Sequence, residues 1–197
     1  MNITIILAHP DPNSFNHAIA KTCRQILQSK GCTIFYHDLY EEKFDSLMPA
    51  EEFPKEAALP NDLIPYCEEI LNSDGIIIVH PNWWSMPPAI LKGWIDRVLR
   101  PGVAYQFLEG DSGEGVPQGL LKANSVIIFN TSNTSAERED IVFGDPLENL
   151  WKTCIFALCG VKSFYRKMFR IMVTSTFEQR KQWLTEVEEI VSDIFLI

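Results

Sequence analysis

The sequence predicts an α/β fold in three layers around a five-stranded parallel sheet, and three observations carry that prediction. Residues 2–8, 75–80 and 125–129 are aliphatic runs without polar alternation, as in strands covered on both faces. Segments with apolar residues at helical spacing separate them. Strands alternating with helices over 197 residues imply right-handed crossovers within one domain, residues 1–197.

Each element has its own signal. Residues 2–8 are rich in β-branched side chains and stop at a His-Pro break. From Ser14 the period becomes helical, with Phe15, Ile19, Cys23, Ile26 and Leu27 on one face, and Ser-Lys-Gly at 29–31 ends it. Residues 32–37 are a second short strand. Residues 38–60 are acidic, contain Pro49, Pro54 and Pro60, and read as a surface excursion with room for a short helix. Asn61 or Asp62 is then positioned to cap a helix through Leu63, Cys67, Ile70 and Leu71. "GIIIVH" at 75–80 is the third strand. It breaks at "PNWWSMPP", and the next helix carries Ile90, Leu91, Trp94, Ile95 and Val98 on its apolar side. Residues 102–122 read as a glycine-rich acidic loop. The fourth strand, 125–129, ends in "NTSNTS". Leu147, Leu150, Trp151, Cys154 and Leu158 mark a helix stopped by Gly160, residues 169–173 a fifth strand, and Leu184, Val187, Val191 and Ile194 a closing amphipathic helix. The expected strand order is 2-1-3-4-5, the flavodoxin-like arrangement, with a ligand at the carboxyl ends of the strands near the switch between strands 1 and 3.

A formal net charge of −9 disfavours nucleic acid and anionic membranes as partners. There is no signal-peptide pattern and no run of roughly 20 apolar residues. The five cysteines are scattered and form no Cys-x-x-Cys pair, so a reduced, cytoplasmic protein is expected.

Three unusual stretches follow strands 1, 3 and 4: "HPDPNSFNH", "PNWWSMPP" and "NTSNTS". The opening Ala-His-Pro-Asp resembles the start of the motif of zinc-dependent N-deacetylases. Pro12 and Asn13 stand where that motif needs an aspartate and a glutamate, and a His80 approaching His9 would not complete a zinc site. No metal is therefore expected. An anion site fits the first stretch better: Pro10 and Pro12 stiffen the turn, Asn13 or Ser14 caps the helix, and free N–H groups face outward. His9 and Asn16 add side-chain donors, although such a turn can also be a plain helix start. Trp83 and Trp84 lie at the same edge. Core packing accounts for one of them, and a planar ring bound nearby accounts for both. The small polar residues of 130–135 leave room for close approach, as a bland loop would too.

"AHP…SFN" together with "PNWWSMPPAILKGWIDRVL…GVAYQF" resembles the NAD(P)H:quinone oxidoreductase (DT-diaphorase-like) family, over about residues 3–173. That family includes the flavin-dependent ancillary oxidoreductases of bacterial potassium-efflux systems. The resemblance implies a homodimer that binds FAD, with active sites at the subunit interface. His9 would then contact the diphosphate region, with Ser14, Phe15 and Asn16 beside it. Pro81, Asn82, Trp83, Trp84 and Ser85 would wrap the isoalloxazine, Trp84 matching the family's tryptophan by motif position. Asn130, Thr131, Ser132 and Asn133 would occupy the loop that hydrogen-bonds the ring, and Tyr105 and Phe107 would line the acceptor pocket. There are departures. "NTSNTS" replaces Thr-Thr-Gly-Gly, Phe143 stands at a histidine position, and Glu137 or a neighbour replaces a tyrosine. The short C-terminus leaves FMN as an alternative to FAD.

The implied activity is ping-pong hydride transfer from NAD(P)H through flavin to a small-molecule acceptor such as a quinone. No nucleophile is required, and "GDSGEG" at 110–115 lacks the second glycine of G-x-S-x-G. Two other roles use the same residues: an FMN-type electron carrier docking to proteins, and a flavin-binding regulatory subunit with a transporter partner.

Overall fold

The computed structural model describes residues 1–54, 57–108, 110, 111 and 114–196. Its large sheet contains β1 (Asn2–Leu7), β2 (Thr33–Asp38), β3 (Gly75–Pro81), β4 (Ser125–Ser132) and β5 (Ser163–Arg170), all parallel, in the order β2-β1-β3-β4-β5. This is the expected order.

The missing polar alternation has a direct cause in the two cores. Ile3, Ile5, Leu7, Ile77, Val79, Ile127 and Phe129 point to one face and pack with α1 (Phe15–Ser29) and α5 (Phe177–Phe195). Ile6, Ile76, Ile78, Val126 and Ile128 point to the other, against α2 (Ile64–Asn72), α3 (Ala89–Val98) and the α4 region. That region starts as α4 (Pro146–Asn149) and widens into a π-helical stretch, Leu150–Ala157, which buries Trp151 and Phe156. Consecutive residues of the central strands are buried on opposite sides, so apolar residues follow one another and the few polar ones, such as Thr4 and His80, are buried with hydrogen-bond partners.

Several boundaries differ from the sequence reading. β5 begins at Ser163, ahead of the expected 169–173, and residues Met172–Thr174 form a 3-10 turn. Arg166 and Lys167 mask this edge strand's pattern. Each is matched by acids, Arg166 by Asp145 and Glu148, Lys167 by Glu186. β4 runs on through Ser132, because Asn130, Thr131 and Ser132 pair with Met168, Phe169 and Arg170. Neither Asn61 nor Asp62 caps α2. Leu63 occupies that position without a side-chain bond, and Pro65 sets the first turn. Residues 102–122 contain a small antiparallel ribbon, Tyr105–Gln106 with Gln118–Gly119. Ser112 of the "GDSGEG" stretch lies outside the described residues. The excursion at 38–60 is anchored rather than superficial: Leu39 and Phe44 are buried, and Glu52 forms a buried ion pair with Arg97 of α3, Oε1 lying 2.5 Å from Nη2.

Candidate functional site

A cavity of about 540 Å³ opens at the carboxyl ends of β1, β3, β4 and β5. Four chain segments build it.

The first is the β1–α1 turn. Ser14 caps α1, its Oγ accepting from the His17 amide at 3.3 Å. Asp11 ties the turn together, its Oδ1 accepting from the Asn13 amide and its carbonyl from the Ser14 amide. The Phe15 and Asn16 amides belong to the first turn and have no intrahelical acceptor. His9 Nδ1 accepts from the Asp11 amide at 3.1 Å, which leaves the proton of a neutral ring on Nε2. Burial holds the His9 pKa below its ordinary value. Asn16 is buried and donates from Nδ2 to Thr131 Oγ1 at 2.9 Å, and its Oδ1 has no partner. Phe15 lines the cavity and packs edge-on to Phe169 and against Trp183, both at 5.8 Å.

The second segment follows β3. The Asn82 amide donates to the Thr131 carbonyl at 2.7 Å. Trp83 and Met86 then exchange two backbone bonds, 3.1 and 3.0 Å, around a two-residue turn. Its central residues, Trp84 and Ser85, have φ of 56° and 57°. Left-handed conformation at two non-glycine residues costs on the order of 1–3 kcal/mol each, so the surroundings must hold it. Neither tryptophan is a core residue, although core packing is the sequence expectation for one of them. The tight turn throws both outward. Trp83 lines the cavity with its ring 6.2 Å from that of His9, and Trp84 is 98% exposed. Ser85 is directed to Glu139 instead of the cavity.

The third segment, after β4, contributes Thr131, Ser132, Asn133 and Thr134. Asn130 does not join them. Side chains alternate across a sheet, and this one faces the opposite core, donating to His80 Nε2 at 2.8 Å and accepting from Arg166 at 3.3 Å. His80 itself is wholly buried, takes a further bond from Trp151 Nε1 at 3.0 Å, and is committed to this network instead of His9. Among the described residues, no three His, Cys, Asp or Glu side chains gather as metal ligands.

The fourth segment was not anticipated. Met172 and Val173 border the cavity after β5, and Arg180 reaches it from the start of α5, bonded to Ser175 Oγ and the Met172 carbonyl. The signal was present as Thr176-x-x-Gln179, a helix-start pattern in which Thr176 Oγ1 accepts from the Gln179 amide at 3.1 Å. It places Arg180 at the strand edge. Glu139 was also missed, because an acid inside "AEREDIV" reads as surface.

Tyr105 and Phe107 line a different, apolar cavity of about 380 Å³ with Ile95, Leu99 and Cys159. Within one chain they are not brought to the first cavity. Phe143, at the family's histidine position, is partly exposed with the Arg138 guanidinium 5.1 Å from its ring centre.

The donor set of the first cavity fits a flavin nucleotide. Open helix amides, Ser14 and Arg180 suit a phosphate. Trp83 and Pro81 supply apolar surface for a ring, and the unpartnered buried oxygens of Asn16 and Asn82 call for ligand hydroxyl or N–H donors.

Comparison with known proteins identifies the fold and the family. The family model for the flavodoxin-like fold matches residues 1–191. An uncharacterized NAD(P)H oxidoreductase of Haemophilus influenzae is 35% identical over 173 residues, covering 86% of this chain and 83% of that protein. Human ribosyldihydronicotinamide dehydrogenase [quinone] is 30% identical over 200 residues, covering 91% and 85%. Among solved structures, an FMN-dependent NADH-azoreductase from Bacillus anthracis in complex with FMN superposes with a TM-score of 0.74 at 17% identity, over 98% of this chain and 99% of the other. Sheet order, cavity position and sequence similarity converge: the chain belongs to the NAD(P)H:quinone oxidoreductase family of flavodoxin-like proteins.

Proposed function

We propose that this protein is a flavin-dependent NAD(P)H oxidoreductase that passes electrons to a quinone-like acceptor by a ping-pong sequence, with FAD as its cofactor and FMN as the alternative. The observation that carries this reading is the single cavity joining the α1 N-terminus and Arg180 to Trp83. The bound flavin would supply the hydride chemistry.

This chain's own residues supply placement. The Phe15 and Asn16 amides and the Ser14 hydroxyl would hold phosphate oxygens, with the positive end of α1 behind them. His9 would donate from Nε2 as a neutral ring, adding direction without charge. Trp83 would cover one side of the ring and exclude water. The acceptor would be lined by Tyr105 and Phe107 from a second copy in a homodimer, since in one chain these residues face a separate cavity. A small organic acceptor is consistent with a relative that is a ribosyldihydronicotinamide dehydrogenase [quinone].

The first test is the visible spectrum of the purified protein, followed by chromatography of released cofactor and a quinone-dependent NAD(P)H turnover assay. A flavin band with released FAD and turnover is expected. Released FMN would transfer the cofactor assignment. A colourless protein that takes up no added flavin and oxidises no NAD(P)H would overturn the proposal.

A further inference from the structure

Glu139 lies on the π-helical turn Arg138–Val142 after β4 and is wholly buried. One of its oxygens, Oε1, accepts from Asn82 Nδ2 at 2.9 Å and from Ser85 Oγ at 3.3 Å. Asn82 directly precedes the Trp83–Met86 turn and Ser85 is one of its two left-handed residues; this turn delivers Trp83 to the cavity. The other oxygen, Oε2, is buried and unpartnered, as is Asn82 Oδ1 on the side chain it is bonded to. A buried acid on a surface-type segment, bonded twice to the same strained turn, has a purpose beyond solubility.

We propose that Glu139 is the positioning residue of the ring-binding turn: it holds Asn82 and Ser85 so that Trp84 and Ser85 stay left-handed and Trp83 stays against the cavity. This deepens the flavin reading of that cavity, on which it rests only for the identity of the ligand. The role is one of hydrogen-bond acceptance, not of charge. Glutamine at 139 keeps an accepting oxygen for the Asn82 and Ser85 donors. Leucine keeps the volume and strands the Asn82 and Ser85 donors.

The test compares wild type, Glu139→Gln, Glu139→Leu and the milder Ser85→Ala by two readouts: the dissociation constant for added FAD, and hydrogen exchange of a peptide spanning 82–86 in flavin-free protein. Glu139→Leu is expected to weaken FAD by at least about tenfold and to speed exchange in that peptide, the loss of the two hydrogen bonds accepted by Oε1 being enough. Glu139→Gln is expected to restore both values, and Ser85→Ala to fall between. If Glu139→Leu does not fold, Ser85→Ala against wild type decides by the same two readouts. Wild-type behaviour in Glu139→Leu and Ser85→Ala, or equal damage in Glu139→Gln and Glu139→Leu, overturns the proposal. Wild type that binds no FAD would defeat the cofactor reading, and the exchange pattern would then decide the role of Glu139 alone.

Discussion

Individual imidazoles show how environment sets chemistry in this protein. His9 and His80 are both pushed below the ordinary histidine value by burial, His80 to about 4. His37 goes the other way. Burial pulls it down, but hydrogen bonds to Glu42 and Glu69 outweigh that and raise it. The sign for His80 follows from linkage. Below about pH 6.5 the unfolded chain protonates this ring while the folded one does not, so stability is complete above that pH and lost toward pH 4. The loss is on the order of 3 kcal/mol. Urea titrations at intervals from pH 7 to 4 should show stability falling on acidification, with a flatter slope in His80→Leu. That variant starts from a lower plateau, because Asn130 and Trp151 lose their shared acceptor. An unchanged slope would mean that His80 does not dominate the acid limb.

At the scale of elements, the start of α1 serves both fold and site. Removing its cap with Ser14→Ala should cost about 1 kcal/mol in urea denaturation. Under the proposed phosphate site it should also weaken flavin binding, because the cap orders the turn whose amides would hold the phosphate. An unaltered flavin titration would place the phosphate elsewhere. In α3, Gly93 shows that helix propensity can be overruled. A Cβ there would lie 2.2 Å from the Ser46 carbonyl oxygen and 2.5 Å from Ser46 Cα, so the helix touches the 38–54 excursion backbone to backbone. Gly93→Ala, normally favourable inside a helix, should therefore destabilise by about 1–3 kcal/mol in a thermal or urea melt. A higher melting temperature would show that the excursion yields.

Across the whole molecule, the Glu52–Arg97 pair is what fastens the long acidic excursion to the domain. Both side chains are 4% exposed, and Arg97 also donates to the Asp45 carbonyl at 2.6 Å. Truncating Glu52 leaves the buried Arg97 guanidinium with only the Asp45 carbonyl and an exposed Asp62 carboxylate at 3.6 Å, so Glu52→Ala should lose about 3 kcal/mol in urea denaturation. A loss under 1 kcal/mol would mean that the excursion detaches freely. Ligand linkage acts on the same whole. Saturating FAD at a hundred times its dissociation constant should add about 2.7 kcal/mol, visible as a rise of several degrees in melting temperature. No shift with FAD or FMN would count against a nucleotide cavity.

Sheet order, the two-faced cores and the three loops at the strand ends were legible in the sequence, because burial on both faces forces long aliphatic runs and strand–helix alternation permits few topologies. "GIIIVH" and the Ser14 helix start needed no structure to be recognised. β5 was displaced because Arg166 and Lys167 hide its pattern behind ion pairs with residues distant in sequence. The same distance explains the site. Whether Asn130 faces the cavity or the core depends on how far β4 continues its pairing, and whether Trp83 or Trp84 meets a ligand depends on a turn held by a carboxylate over fifty residues away. Local sequence determined which elements form and where a ligand would enter. Which side chains meet there was decided only by tertiary contacts, since register, strand length and buried hydrogen bonds join residues that no local pattern links.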